Sequence, residues 1–166
     1  MSDVQEAHPA PDFSLPAIGS ELIVHDGHVQ LSALRGKTVV VYFYPKDETA
    51  GCVKEACSFR DANQEMQKRG VVVLGVSADD LPSHQHFADR YELPFPLLAD
   101  TEATVARLYG VKKGLFGMLG LNRETFLIDQ EGIVRKIWRN VKPGGHAQEV
   151  LETIEALELS SSASRE

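Results

Sequence analysis

Two stretches without a charged residue restrict this chain more than anything else in it: Thr38-Val39-Val40-Val41-Tyr42-Phe43-Tyr44 and Val71-Val72-Val73-Leu74-Gly75-Val76-Ser77. A strand with one wet face alternates apolar and polar residues. These runs do not, so each is expected to be covered on both faces, as central strands of an α/β sheet are. Between them, Ala50 to Lys68 reads as a helix that stops at Gly70. Strand, covering helix and second buried strand make a parallel crossover. At 166 residues, one domain with a single well-buried core is expected over 1–166.

The rest of the chain supplies the partners of that unit. Residues 1–11, with Pro9 and Pro11, read as an extended or mobile arm, and Asp12 to Ile18 as an edge strand. Glu21 to Val24 and His28 to Leu31 are expected to form an N-terminal β-hairpin about His25-Asp26-Gly27, since Asp-Gly favours a tight turn. Ser32 to Gly36 makes one helical turn. A helix starts at Pro82, with Phe87 and Tyr91 one turn apart. A short strand follows over Pro94 to Asp100, then a helix over Thr101 to Tyr109 and a Gly-rich loop over 111–122. Glu124 to Asp129 and Ile133 to Arg139 form a second hairpin. After Gly144-Gly145, Ala147, Val150, Leu151, Ile154 and Leu157 recur at helical spacing, and 159–166 reads as a flexible tail. The order predicts an α/β fold: a mixed central sheet flanked by helices, with an N-terminal hairpin.

Composition excludes several functions. The formal net charge of -7 offers no phosphate-neutralising surface, so no nucleic-acid partner is expected. No run is long and apolar enough for a membrane span. The start, Met1-Ser2-Asp3-Val4-Gln5-Glu6, is acidic and lacks the apolar region of a secretory signal, so a cytoplasmic location is expected. There are 2 cysteines, Cys52 and Cys57, and in a reducing compartment such a pair is more often catalytic or metal-binding than structural. A zinc site is not expected without further cysteines. His84 and His86, near a helix start, read as surface residues rather than metal ligands.

Cys52 falls in the first turn of the 50–68 helix, where unpaired backbone N–H groups and the positive helix end favour thiolate over thiol. On a helical wheel it shares a narrow stripe with Ala56, Phe59 and Met66, which places it on the buried side. Phe116, Met118, Leu119 and Leu121 set apolar side chains on the loop just before Arg123. They read as packing against the core, with a docking patch for a reductant or second subunit as the alternative.

Pro45-x-x-x-Thr49-x-x-Cys52 resembles the active-site motif of peroxiredoxins. The longer run Tyr42-Phe43-Tyr44-Pro45-Lys46-Asp47, Thr49, Gly51-Cys52, Glu55-Ala56-Cys57 and Phe59-Arg60-Asp61 is similar to the bacterioferritin comigratory protein, or peroxiredoxin Q, branch. The similarity continues through Gly75-Val76-Ser77, Leu93 to Asp100, Tyr109-Gly110-Val111 and Arg123 to Asp129. The chain departs from it at Ala50, where many relatives carry proline, and over Lys112 to Asn122, which looks shorter and more apolar.

The resemblance implies a thioredoxin-like fold and a thiol peroxidase acting on hydrogen peroxide and organic hydroperoxides without metal or organic cofactor. It makes Cys52 the peroxidatic cysteine and Cys57 the resolving one. Thr49, Pro45 and Arg123 would complete the pocket, and Glu55 would support the arginine. The implied cycle runs through a Cys52 sulfenic acid and an intramolecular Cys52–Cys57 disulfide, reduced by thioredoxin or a glutaredoxin-like partner, in a monomer. Two other readings stay open: a one-cysteine enzyme using an external thiol, and a peroxide-sensing redox switch. Spacing adds a constraint. Residues five apart on a helix have Cα atoms roughly 8 to 9 Å apart and diverge by about 140°, whereas a disulfide needs at most about 7 Å. The first turns, residues 50–60, are therefore expected to unwind before the bond can form.

Overall fold

The computed structural model describes residues 4–112 and 120–159. Its centre is the pair anticipated from the uncharged runs: β3 (Thr38–Phe43) and β4 (Val71–Ser77) lie parallel, joined over the top by α1 (Ala50–Lys68). Every residue of β3 is buried. Val39, Val41 and Phe43 enter one apolar core, and Val40 and Tyr42 enter the other. That split is the structural form of a run with no polar face.

The remaining strands extend this pair on both sides. β5 (Leu97–Ala99) lies parallel to β4, and β6 (Glu124–Ile128) pairs antiparallel with β3 and carries β7 (Val134–Trp138) on its outer side. β1 (Ser14–Ile18) joins β5 antiparallel and holds β2 (His28–Gln30) at the edge, giving seven strands in the order β2-β1-β5-β4-β3-β6-β7. α1 and α4 (His146–Ala156) pack on one face together with Phe87 of α2 (Leu81–Tyr91). The short α3 (Thr104–Leu108) and the N-terminal segment cover the other. This is a thioredoxin-like α/β architecture.

The N-terminal hairpin is present, but β1 rather than Glu21–Val24 supplies its first strand. The amides of Ile23 and Val24 both donate back to Ser20 O, at 3.0 and 2.8 Å, and Leu22 is 87% exposed. The stretch is a turn, and its apolar residues are not paired. The Asp-Gly signal itself was sound, since Asp26 and Gly27 take positive φ (53° and 75°) between bridged His25 and His28. α3 begins three residues later than the sequence pattern suggests. The Asp100 carboxylate accepts the amides of Val105 and Ala106, so the intervening residues close a turn instead of a helix.

Residues 4–11 of the arm turn at Glu6 and Ala7 and dock along β7. Ala7 donates to Val134 O, Val134 to His8 O and Ala10 to Gly132 O, while Val4 and Ala10 are buried. At the other end Leu159 is buried and its carbonyl accepts from Thr38 Oγ1 at 2.6 Å. Phe116, Met118 and Leu119 lie outside the described residues, whereas Leu121 is a core side chain.

One glycine controls how the chain returns to β6. Gly120 has φ +78°, and a Cβ there would sit 2.0 Å from Pro45 O. Gly120→Ala should therefore destabilise the fold by about 2–4 kcal/mol, from left-handed strain plus the clash. Urea unfolding checks this, and a loss below 0.5 kcal/mol would show that the two segments do not need this close approach.

Candidate active site

β3 ends at the N-terminus of α1, and that junction places the rest of the site. Thr49 is the N-cap, with extended backbone (φ -82°, ψ 153°), and its hydroxyl donates to Lys46 O at 2.8 Å. The first helical bond runs from Val53 N–H to Thr49 O at 2.8 Å. The amides of Ala50, Gly51 and Cys52 precede that bond and belong to the positive end of the helix. Cys52 is 1% exposed and packs in the core that holds Tyr42, Ala56 and Phe59.

Arg123 arrives from far along the chain because β6 pairs with β3 in the register Phe43↔Glu124, which sets it beside the end of β3. Its Nη1 donates both to Cys52 Sγ at 3.4 Å and to Glu55 Oε1 at 3.0 Å. Gly51 makes room: a Cβ there would lie 2.9 Å from Arg123 Nη2 and 3.3 Å from Pro143 Cγ. The segment after β7 closes the side, with Val141 N donating to Arg123 O at 2.8 Å. Pro45 is half-buried at the start of the loop, and Thr49 is exposed at its end.

The electrostatics follow from burial. Desolvation works to lower the Arg123 pKa, but the Cys52 charge and hydrogen bonds to Cys52 and Glu55 outweigh it, and the pKa rises. Glu55 has a fully buried side chain, with Oε2 lacking any hydrogen-bond partner among the described residues. Burial pushes its carboxyl up to about 7, against the opposing pull of the Arg123 hydrogen bond and charge.

Of the residues singled out in the sequence, Arg123 touches both Cys52 and Glu55, and Thr49 and Pro45 belong to the loop that leads into the helix. Cys57 is a partly exposed free thiol on the other side of α1. Among the described residues no three His, Cys, Asp or Glu side chains converge where a metal ion could sit. His84 corrects the surface reading: it is 0% exposed and bonded to Asp47 and Leu98 O, while His86 is exposed. Its spacing to Phe87 and Ala88, three and four residues on, is the signal that places it on the buried face. In the sequence Asp47 stands out only as part of the motif, and nothing in its neighbours along the chain announces its burial.

Residues 7–137 match the AhpC/TSA family. The chain is 46% identical over 152 residues to "Putative peroxiredoxin bcp" of Coxiella burnetii, covering 89% of this chain and 97% of that one. The chain is a peroxiredoxin of the bacterioferritin comigratory protein (peroxiredoxin Q) branch. Solved structures agree with the assignment. A cysteine-to-serine mutant of Xylella fastidiosa PrxQ superposes with TM-score 0.84 at 29% identity, covering 95% and 99% of the two chains. The Xanthomonas campestris bacterioferritin comigratory protein superposes with TM-score 0.75 at 37% identity, covering 87% and 90%. As a peroxiredoxin the chain is a thiol peroxidase.

Glu55 makes its stability depend on pH in a set direction. Its carboxyl holds a proton to about pH 7 in the folded state, against an ordinary value of 4.5. The folded state binds that proton more tightly, so stability is full below 4.5 and falls as pH rises to 7. Relative to Glu55→Gln, the native chain should lose up to about 3 kcal/mol between pH 4.5 and 8. Urea unfolding of both at a series of pH values measures it, and a pH-independent difference would mean the carboxyl is ionised throughout.

Proposed function

We propose that this peroxiredoxin reduces hydrogen peroxide and organic hydroperoxides through Cys52, resolves the product with Cys57, and is restored by a thioredoxin-type dithiol. The observation that carries the reading is the Arg123 Nη1–Cys52 Sγ contact of 3.4 Å at the first turn of α1.

The Cys52 thiolate attacks one peroxide oxygen, the O–O bond breaks with its electron pair leaving on the distal oxygen, and that oxygen leaves as alcohol or water after gaining a proton. Charge moves from sulfur to the departing oxygen. Donors fixed around both atoms, namely Arg123 and the free amides of Gly51 and Cys52, stabilise that spread charge more than the ground state. The Thr49 hydroxyl gives its hydrogen to Lys46 O, so its lone pairs are left to accept from a peroxide O–H. Pro45 has no N–H and shields the thiolate from bulk water. Glu55 holds the guanidinium in place. The Xanthomonas campestris relative is described as reducing alkyl peroxides, which supports including organic hydroperoxides.

The Cys52 sulfenic acid then condenses with the Cys57 thiol, releasing water and forming a disulfide. Cys52 is buried against the sheet and Cys57 faces the other way, so the first turns of α1 unwind for the sulfurs to meet. The unwinding has a natural stop. Phe59 is 0% exposed and stacks on Tyr42 at 4.6 Å, and Arg60 Nη1 donates to Tyr91 O at 2.9 Å. A dithiol reductant exchanges with the exposed disulfide and closes the cycle. We place the enzyme in the cytoplasm, where such a reductant keeps thiols reduced.

Peroxide turnover with thioredoxin tests the roles. Cys52→Ser should abolish turnover, and Cys57→Ser should allow one oxidation per chain and then stop. Full turnover by Cys57→Ser would favour the one-cysteine mechanism, a native chain that oxidises once and stops would favour a sensor, and activity in Cys52→Ser would defeat the assignment. The unwinding has its own test at Ala50. Thr49 already has the extended backbone that a following proline requires, and Ala50 is the first helical residue. Ala50→Pro should stabilise the chain by about 0.4–1 kcal/mol and slow disulfide formation while leaving Cys52 oxidation near its native rate. Faster disulfide formation in Ala50→Pro would sink the unwinding step.

A further inference from the structure

The loop between Pro45 and Thr49 is held from α2 at two successive residues. The Asp47 carboxylate, in a residue 6% exposed, accepts from Tyr44 Oη at 2.6 Å and from Ser83 Oγ at 2.8 Å, and it meets His84 Nδ1 at 2.7 Å. His84 Nε2 lies 2.8 Å from Leu98 O, which can only accept, so that nitrogen carries a hydrogen. Nδ1 then faces Asp47 Oδ2 with one proton on the line between them, and the buried pair is neutral as a whole. The Asp47 amide donates to Asp79 Oδ2 at 2.8 Å, and Ser77 Oγ holds that same oxygen at 2.7 Å. Glu48, in the left-handed region at φ 63°, is gripped by His86 and, at 2.9 Å, by Arg90 of the same helix. Toward α1, by contrast, the loop continues through the Val53 N–H to Thr49 O bond.

We propose that Asp47 is the positioning residue of the peroxide pocket. Clamped by Tyr44, Ser83 and His84, it fixes the loop that presents Thr49 to Cys52, and it keeps that loop in shape while α1 opens. Asp47 touches no reacting atom and acts through the loop. The inference rests on the peroxidase reading, since it assigns a task within that reaction.

The test separates the peroxide step from the fold. In a Cys57→Ser background of the full chain, Cys52 oxidation by hydrogen peroxide is followed by trapping the sulfenic acid, and Cys52 alkylation by iodoacetamide is measured alongside. Asp47→Ala should slow oxidation by roughly 100-fold, the cost of misplacing a pocket group by about 1 Å, with alkylation changed far less. Asp47→Asn should recover most of the rate. Its amide nitrogen can donate to a neutral His84 Nδ1, while its oxygen still accepts from Tyr44.

Oxidation of Asp47→Ala at the native rate would overturn the proposal. So would equal slowing in the Ala and Asn variants, or a rate that falls with thermal stability and returns on cooling. If Asp47→Ala does not fold, Tyr44→Phe and Ser83→Ala each remove one clamp, and native oxidation rates in both would overturn it too.

Amide hydrogen exchange reads the hold without any turnover. In the disulfide form the Asp47 amide should stay protected while those of Val53 to Cys57 lose protection, and loss at both would overturn the proposal. A native chain that consumes no peroxide but whose 46–49 amides exchange faster in Asp47→Ala would count against the peroxidase reading while upholding the hold on the loop.

Discussion

The antiparallel pairing of β6 with β3 is the constraint on which the site depends. Cys52 and Arg123 are 71 residues apart, and the register Phe43↔Glu124 makes them neighbours. Without it the helix end would still offer free amides to the sulfur, but the permanent charge would be missing. Two glycines let the approach happen: Gly120 lets the returning chain lie against Pro45 O, and Gly51 leaves space for the guanidinium. Both omit a side chain where another segment must come within contact distance, a packing demand imposed by the sheet and read out at the thiol.

Glu55 shows how one residue can serve the site and unsettle it. It bonds Arg123 at 3.0 Å, yet it is buried with one oxygen unpartnered among the described residues, so its ionised form is poorly accommodated. Unwinding the first turns of α1 would return that carboxyl to water. On the proposed mechanism the desolvation that raises its pKa also lowers the cost of opening the helix, and it does so more as the carboxyl ionises. The group that prepares the reactive state thus favours leaving it.

How much of this was legible depended on how local the cause was. β3 and α1 were plain because uncharged β-branched runs and helical spacing act over a few residues. Cys52, Thr49, Pro45, Glu55 and Arg123 followed from motif resemblance. Of these, Cys52, Glu55 and Arg123 are joined by hydrogen bonds in the structure. Glu21–Val24 misleads because the strand expected of its apolar run before Asp-Gly is overridden by amides that bond back to Ser20 O. The burial of Asp47 was hidden for the opposite reason. Its partners Tyr44, Ser83 and His84 come from two elements, and a charged residue in a loop reads as solvated until the helix that covers it is in place. His84 was readable in part, through its spacing to Phe87 and Ala88, but its polar partners were not.

On the proposed mechanism the active site dismantles part of itself in each cycle, and it needs a boundary between what opens and what stays. The side chains of α1 that lose burial on opening as far as Ser58 are small or polar at the core face: Cys52, Glu55 and Ala56, with Val53 half-buried beside them. Little apolar area is lost with them, and the ionised Glu55 gains hydration. Phe59 is the first large anchor, stacked on Tyr42 and edge-on to His146, and exposing such a side chain costs about 1.5–3 kcal/mol. The helix is therefore cheap to unwind up to that ring and expensive beyond it. On the other side of Cys52, the loop is bonded to α2, which does not share the helix that opens. On the proposed mechanism the turn that carries Cys52 lies between two fixed points, Asp47 and Phe59, and the mobility that resolution would require is confined to the residues between them.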